Sequence, residues 1–239
     1  MQDRYTSRPF TAWWRPRTSA WGAMLGEQEI LLAAVALQPT GSARVVVFEH
    51  LHAPDGLVHP AERDDWLVQT LRGSGAHLPA RLRTMALALG DDRCRQGVYE
   101  WDGAGAPRQL EVEIQLEAAA AWGVAADAVG FDFSTDPSPA HGAQVHWAAC
   151  LREDLAKWRQ HARSAGWRLP VVEPGPQAAQ RAAVCLRGDT WQQGAESPQD
   201  WQFSLTPERD ADQLNWPYLR ARALWNPLVA CGAALGALL

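Results

Sequence analysis

Hydrophobic and polar residues in the first fifty positions follow the pattern of strands joined by short turns. Residues 21–25, 29–37 and 44–50 each predict a strand, and the polar, glycine-containing segment 38–42 predicts the turn before the third. The β-branched and aromatic run 45–48 is typical of a buried strand. Because the links between them are short, we expect the three strands to pair as an antiparallel meander.

Helical periodicity begins after this meander. Residues 61–72 predict a helix, since Pro60 precedes them, acidic residues occupy the first turn and Gly73 follows the end. Further helices are predicted over residues 109–122, 151–165, 174–186 and 227–239. Further strands are predicted over residues 83–89, 94–100, 129–133, 143–150, 169–172, 189–192 and 201–205. The opening order βββαβ predicts an α/β protein of the architecture that ribonuclease H-like nucleases and actin-like ATPases share.

Composition and charge narrow the class of protein. Apolar residues make up 47% of the chain and charged residues 21%, as in globular proteins, and the net charge of −5 does not favour a nucleic-acid partner. The four cysteines stand singly at positions 94, 150, 185 and 231. Without a CxxC pair they indicate neither a zinc ribbon nor a redox dithiol, and they favour a reducing, cytoplasmic compartment.

Neither end of the sequence predicts a membrane segment. The first seventeen residues mix arginine, aspartate and tryptophan and lack the apolar stretch of a secretory signal. Residues 227–239 are apolar but number only thirteen, whereas a spanning helix needs about 20. We therefore expect a buried terminal helix and no direct membrane span.

The catalytic versions of this architecture need residues that the sequence lacks. A two-metal nuclease needs a carboxylate on the first strand, but neither residues 21–25 nor residues 83–89 contain one. A phosphate-binding turn at residues 25–29 would place Glu27 and Glu29 against the triphosphate, which like charge disfavours. No GxxxxGK[ST] or GxGxxG segment is present. We therefore predict no catalytic residue, and ATP is not an expected cofactor.

Two clusters of side chains contain residue types that can bind a metal ion or act in catalysis. The first cluster consists of His50, His52 and His59 with Glu49 and Asp55. A His-x-His pair places both rings on one strand face, but no fourth ligand has a recognisable spacing, so surface histidines are favoured and no metal site is predicted. The second cluster consists of Asp132, Asp136, His141 and His146. Because Asp132 alternates with apolar residues in a strand, a solvated or turn-capping acid is favoured over a catalytic one.

From the second helix onward the sequence resembles the pilus assembly protein PilM family, including its short HofM-type and MSHA-biogenesis relatives. The resemblance rests on the acidic helix 109–122, the segment Val-Gly-Phe-Asp-Phe at 129–133, the strand 144–150 and the helix 151–166. It continues through Val-Val-Glu-Pro at 171–174, residues 178–182 and the closing segment 226–236. The first hundred residues agree with the family in element order only.

The resemblance implies an actin-like fold and a docking role. Full-length members of that family bind ATP and dock on the inner face of the cytoplasmic membrane. There they hold the short N-terminal tail of the membrane protein PilN in a groove. The family's groove lies between the first subdomain and the inserted one, so the resemblance points to Phe131, Asp132 and Phe133 as partner-binding residues. The alternative is that both phenylalanines are simply core residues.

The sequence departs from the family at the nucleotide site and in its second half. The acid and small hydroxyl residues of the first phosphate loop are missing, and the chain after Leu186 is too short for a complete second actin-like half. We therefore predict an actin-like/ribonuclease H-like βββαβ core with an inserted α/β subdomain and a truncated second half. The predicted divisions are a flexible lead (1–19), a first subdomain (20–108), an inserted subdomain (109–186) and a remnant (187–239).

The sequence is compatible with three functions. The favoured one is a non-catalytic cytoplasmic adaptor of type IV or DNA-uptake pilus assembly, held at the inner membrane by the N-terminal tail of a PilN-like protein. The second is an actin-like ATP-binding protein of the same machinery. The third is the cytoplasmic domain of a type II secretion L-type protein, which would need a membrane span beyond Leu239.

Overall fold

A computed structural model describes residues 19–26, 28–57, 59–101, 107–138, 142–187, 198–221 and 224–238. The predicted flexible lead lies outside these ranges except for Ser19, and so does the predicted strand 189–192. The strands are β1 (Ser19–Leu25), β2 (Glu29–Leu37), β3 (Ser42–His52), β4 (Thr84–Leu89), β5 (Arg95–Trp101), β6 (Val129–Ser138), β7 (Gly142–Leu151), β8 (Arg168–Pro174) and β9 (Gln202–Ser204). The helices are α1 (Pro60–Ser74), α2 (Pro107–Trp122), α3 (Arg152–Ser164), α4 (Gly175–Cys185), α5 (Trp216–Ala221) and α6 (Trp225–Leu238).

Among the described residues, the main sheet has six strands in the order β8-β4-β1-β2-β3-β9. Strands β1, β2 and β3 form the predicted antiparallel meander, whereas β1 pairs with β4, and β4 with β8, in parallel. The central strands are buried on both faces, which explains their near-continuous apolar sequence. This mixed sheet confirms the α/β architecture predicted from the βββαβ order.

A second sheet of three strands, in the order β5-β7-β6, is inserted in sequence between β4 and β8. Strand β5 pairs antiparallel with β7 from Arg95↔Ala149 to Trp101↔Ala143, although the predicted division placed residues 94–100 in the first subdomain. Conversely β8, which the prediction placed in the inserted subdomain, pairs with β4 of the main sheet. The two sheets thus divide the chain differently from the predicted subdomains, because strand partners are chosen by long-range register that local periodicity does not contain.

Three helical layers cover these sheets. Helices α4 and α6 pack on one face of the main sheet, and α1 and α3 pack on the other. Helix α2 covers one face of the small sheet through Leu110, Ile114 and Ala118. The helix predicted over residues 151–165 is observed as α3, with Trp158 and Ala162 buried.

The terminal helix α6 is a core element. Its residues from Leu228 to Leu235 are all buried, as the short apolar run predicted. Within the described residues, no helix is both long enough and apolar enough to cross a membrane.

Glycines allow α6 to approach its neighbours at backbone distance. A Cβ atom at Gly22 of β1 would overlap Ala230 O and Ala234 N of α6. A Cβ atom at Gly232 of α6 would overlap the carbonyl of Ala178 in α4. Both overlaps involve backbone atoms, so no rotamer change could relieve them.

We expect Gly232→Ala to lower the free energy of unfolding by about 3 kcal/mol, because α6 and α4 would have to separate. Gly73→Ala is the matched control: Gly73 lies in helix α1 with no atom within 4 Å of the added Cβ. It should stabilise the protein by about 0.5 kcal/mol, since alanine loses less chain entropy in a helix. Urea denaturation of both variants measures the difference, and equal effects would contradict the close packing of α6.

Candidate functional site

A groove surrounds strand β6, where the small sheet faces α3 and β8. It consists of two adjoining concavities of about 520 and 550 Å³. The residues that line both concavities are Gly130, Phe131, Asp132, Phe133, Leu155 and Arg159. The three residues predicted to bind a partner, Phe131, Asp132 and Phe133, therefore all lie at this groove.

Strand β6 presents an open edge to the groove, since in the described part of the chain its only strand partner is β7. The Val129 carbonyl accepts a hydrogen bond from Arg152 Nε at 2.7 Å, and the Phe133 amide donates to Asp132 Oδ1 at 2.9 Å. The backbone N–H and C=O groups of successive residues point alternately to the two sides of a strand. These bonds therefore indicate that the backbone groups of the odd-numbered residues in β6 point away from β7. Phe131 lies between them and presents its backbone on the same open edge.

The side chains of β6 divide between the two faces of the small sheet. The Phe131 and Phe133 rings lie 6.5 Å apart and nearly parallel at 10°, half-buried against the core beneath α2. Asp132 is exposed on the opposite face. The phenylalanine side chains thus contribute to the core, as the alternative held, while their backbone forms the groove's rim.

The facing wall is the outer strand β8. Val171 is 39% exposed there, and Pro170 and Val172 also line the groove. Because prolines 170 and 174 have no N–H group, this edge offers few donors for an added strand and serves mainly as an apolar wall.

A two-bond ion pair fixes this wall. Arg181 of α4 donates to both carboxylate oxygens of Glu173 at 2.9 and 2.7 Å, and it also donates to the Gly232 carbonyl at 2.8 Å. The paired guanidinium and carboxylate geometry is the stronger form of charge-assisted hydrogen bond. Strand β8 is thereby tied to α4 and α6.

The groove carries charges of both signs. Arg152 and Arg159 are exposed on α3, whereas Asp132 on β6 and Glu111 on α2 are exposed acids. Arg159 lines both concavities, so it is well placed to pair with an acidic group of an extended ligand.

The cluster of Asp132, Asp136, His141 and His146, for which a catalytic role was not favoured, is described only in part. His141 lies outside the described residues, and so does the side chain of Asp136. His146 is exposed on the groove wall, opposite Ser134 in the β6–β7 register. No hydrogen bond joins His146, Ser134 and Asp132 to one another, so these three described residues do not form a nucleophile–base relay.

The turn between β1 and β2 holds a carboxylate in place. The Gly26 amide donates to the Glu29 carbonyl at 2.9 Å. The Glu29 carboxylate contacts His50 Nε2 at 2.6 Å through one oxygen and accepts from Asn226 Nδ2 at 2.8 Å through the other. Of the histidine cluster considered in the sequence, His50 and His52 lie beside Glu29, which the sequence pattern did not assign to the cluster. Glu49 points to the other face, where it accepts from Ser74 Oγ.

Solved structures identify the fold. One match is a PilM-PilN type IV pilus biogenesis complex, with a TM-score of 0.54 and 21% identity over 71% of this chain and 51% of that chain. Another is the cytoplasmic domain of EpsL, an inner membrane component of the type II secretion system of Vibrio cholerae. That match has a TM-score of 0.50 and 14% identity over 67% of this chain and 58% of the EpsL chain.

The fold is actin-like. The sequence-based prediction of fold class is therefore confirmed, while each matched region spans little more than half of the solved chain. No model of a known protein family matches the sequence, and no curated protein matches it.

Two buried thiols, Cys94 and Cys150, line the second concavity of the groove. Burial, and then the neighbouring Cys150, raise the pKa of the Cys94 thiol to about 12. Burial also raises the pKa of Cys150. Because the thiolate is the reactive form, neither side chain is suited to act as a nucleophile.

The raised thiol pKa values predict that the free energy of unfolding falls in alkali. The unfolded chain releases thiol protons as the pH rises past 9.0, whereas the folded chain keeps the Cys94 proton to a pKa of about 12. The folded state then binds more protons, so stability decreases by up to about 1.4 kcal/mol per pH unit for each buried thiol. Urea denaturation between about pH 8 and 10 measures this slope. Cys94→Ala should make it shallower, and an unchanged slope would contradict the assignment.

Proposed function

We propose that this protein is a non-catalytic cytoplasmic adaptor of a type IV or DNA-uptake pilus assembly machine. Its groove holds the N-terminal tail of a PilN-like inner-membrane protein, which keeps the adaptor at the membrane. The likeness of 71% of the chain to a PilM-PilN complex, together with the open edge of β6, supports this proposal.

The tail binds as an added strand. Its backbone hydrogen-bonds to the outward-facing groups of Phe131 and Phe133, in the manner of peptides that extend an exposed sheet edge. Alternate side chains of the tail then face the two concavities, so apolar ones meet Leu155 and the β8 wall. An acidic residue of the tail pairs with Arg159.

A charge-reversal pair on α3 tests the groove. Arg159→Glu should weaken binding at least tenfold, because a charge-assisted hydrogen bond is replaced by repulsion. Arg163→Glu is the matched control, since Arg163 is exposed on the same helix and does not line the groove. Fluorescence anisotropy of a labelled peptide, the cytoplasmic N-terminal segment of the organism's own PilN-like protein, gives both dissociation constants.

A second variant blocks the groove without changing charge. A Cβ atom at Gly130 would make only ordinary contacts, the nearest being Leu155 Cδ2 at 3.6 Å. Gly130→Leu should therefore fold normally while its side chain occupies the space between β6 and α3. Binding that survives both Arg159→Glu and Gly130→Leu would remove this groove as the docking site.

Nucleotide binding is not part of the proposed role. The Glu29 carboxylate is held at the β1–β2 turn by His50 and Asn226 and would repel a triphosphate there. We expect no change in melting temperature with millimolar ATP and Mg²⁺, because a ligand that binds only the folded state must raise it. A clear rise would favour the ATP-binding alternative, and measured hydrolysis would contradict the non-catalytic role.

The likeness to the EpsL cytoplasmic domain supports a second candidate, a cytoplasmic component of a type II secretion machine. The peptide titration separates the two functions. If the PilN-like segment binds saturably and Arg159→Glu weakens that binding, the result supports the pilus adaptor. If the groove does not bind this segment, the secretion component is the better interpretation.

A further inference from the structure

We propose that Glu29, His50 and His52 form a binding site for a divalent transition-metal ion of the Zn²⁺ class. One donor atom from each residue lies within 4.8 Å of the other two. Glu29 Oε2 is 2.6 Å from His50 Nε2, and the two imidazole rings have centroids 4.2 Å apart. This site lies at the β2–β3 side of the main sheet and is independent of the groove at β6 and β8.

Strand register brings the three side chains together. His50 and His52 are two residues apart on β3, so both project from the same face. The β2–β3 pairing places Glu29 opposite His52 and Leu31 opposite His50, which sets the carboxylate beside both rings. An ion bound here would link β2 and β3 at the end of their hairpin that lies opposite its turn.

The donor set fits zinc better than the harder cations. Zinc takes imidazole nitrogen and carboxylate oxygen at about 2.0–2.2 Å, which puts tetrahedral donors about 3.4 Å apart. The side chains of His50 and Glu29 are 42% and 25% exposed, so they have room to close on an ion. Ca²⁺ and Mg²⁺ prefer oxygen ligands throughout, and a pair of imidazoles does not supply these.

A supporting residue orients the carboxylate. Asn226 Nδ2, at the start of α6, donates to Glu29 Oε1 at 2.8 Å and leaves Oε2 directed at His50. Hydrogen-bonded carboxylates of this kind are typical of metal centres, where the outer partner fixes the ligand's orientation. Three protein ligands leave a fourth position for water or for a group from a binding partner.

The thiols do not compete for the ion in the folded protein. Cys94, Cys150, Cys185 and Cys231 are all buried, and burial raises the pKa of each one. Since thiolates are the metal-binding form, the exposed histidine cluster is the stronger ligand set on the described surface.

Titration of the full, chelator-treated chain with Zn²⁺ in an isothermal calorimeter tests the site. We expect saturable binding of one ion per chain. His50→Ala and His52→Ala should each weaken it by more than tenfold, and Asn226→Ala should weaken it by about tenfold through the loss of orientation. His59→Ala is the matched control, because His59 is exposed in the following segment and lies outside the cluster. It should leave the affinity unchanged.

A spectroscopic readout keeps the test independent of stability. The protein has seven histidines, and their ring protons can be followed by NMR spectroscopy. The signals of His50 and His52 should shift on addition of Zn²⁺, while that of His59 should not. Far-ultraviolet circular dichroism verifies that each variant is folded. No saturable binding, movement of other histidine signals instead, or equal losses in His50→Ala and His59→Ala would each overturn the proposal.

Discussion

The fold depends on one steric constraint, the backbone-distance packing of α6 between β1 and α4. Gly22 and Gly232 lack the Cβ atoms that would collide with Ala230 and Ala178, and the neighbouring residues of α6 are mostly alanines. Interiors are close-packed, so a separation of even one methyl group would open space along the whole helix. The position of α6 therefore fixes how closely the helical layer can lie on the central strands.

That constraint reaches the groove through Arg181. Its guanidinium bonds Glu173 of β8 and the Gly232 carbonyl of α6, so wall and core helix share one set of hydrogen bonds. The Glu173 side chain is only 10% exposed, and burying a carboxylate is costly unless it is paired and hydrogen-bonded. The ion pair thus specifies where β8 ends relative to α6. The groove is therefore tied to the core helices on its β8 side and has an open strand edge on its β6 side.

The sequence predicted what local periodicity determines. The meander, the helix that buries Trp158 and Ala162, and the buried terminal helix could all be predicted, because each depends on residues a few positions apart. The sheet to which residues 94–100 belong could not be predicted, since β5 pairs with β7, about fifty residues further along the chain. Helix α5 was missed because its six residues are too few for a helical period to stand out.

The candidate sites show the same limit. Phe131, Asp132 and Phe133 were predicted to bind a partner from a family resemblance, and the structure places all three at the groove. The histidine pair was visible in the sequence, but Glu29 was not connected with it, because their proximity depends on the β2–β3 register. No further ligand has a recognisable spacing along the chain, because Glu29 lies across the sheet from the two histidines.

Glu29 contributes both to the charge of the β1–β2 turn and to the proposed metal site. With no ion bound, its carboxylate gives the turn a negative charge that disfavours a triphosphate. A divalent ion on Glu29 and two neutral imidazoles would reverse the sign of that local charge, because a bound cation is the largest charge in such a site. Phosphate repulsion at this turn is therefore a property of the metal-free protein. The local charge of this turn depends on whether His50 bonds Glu29 directly or shares an ion with it.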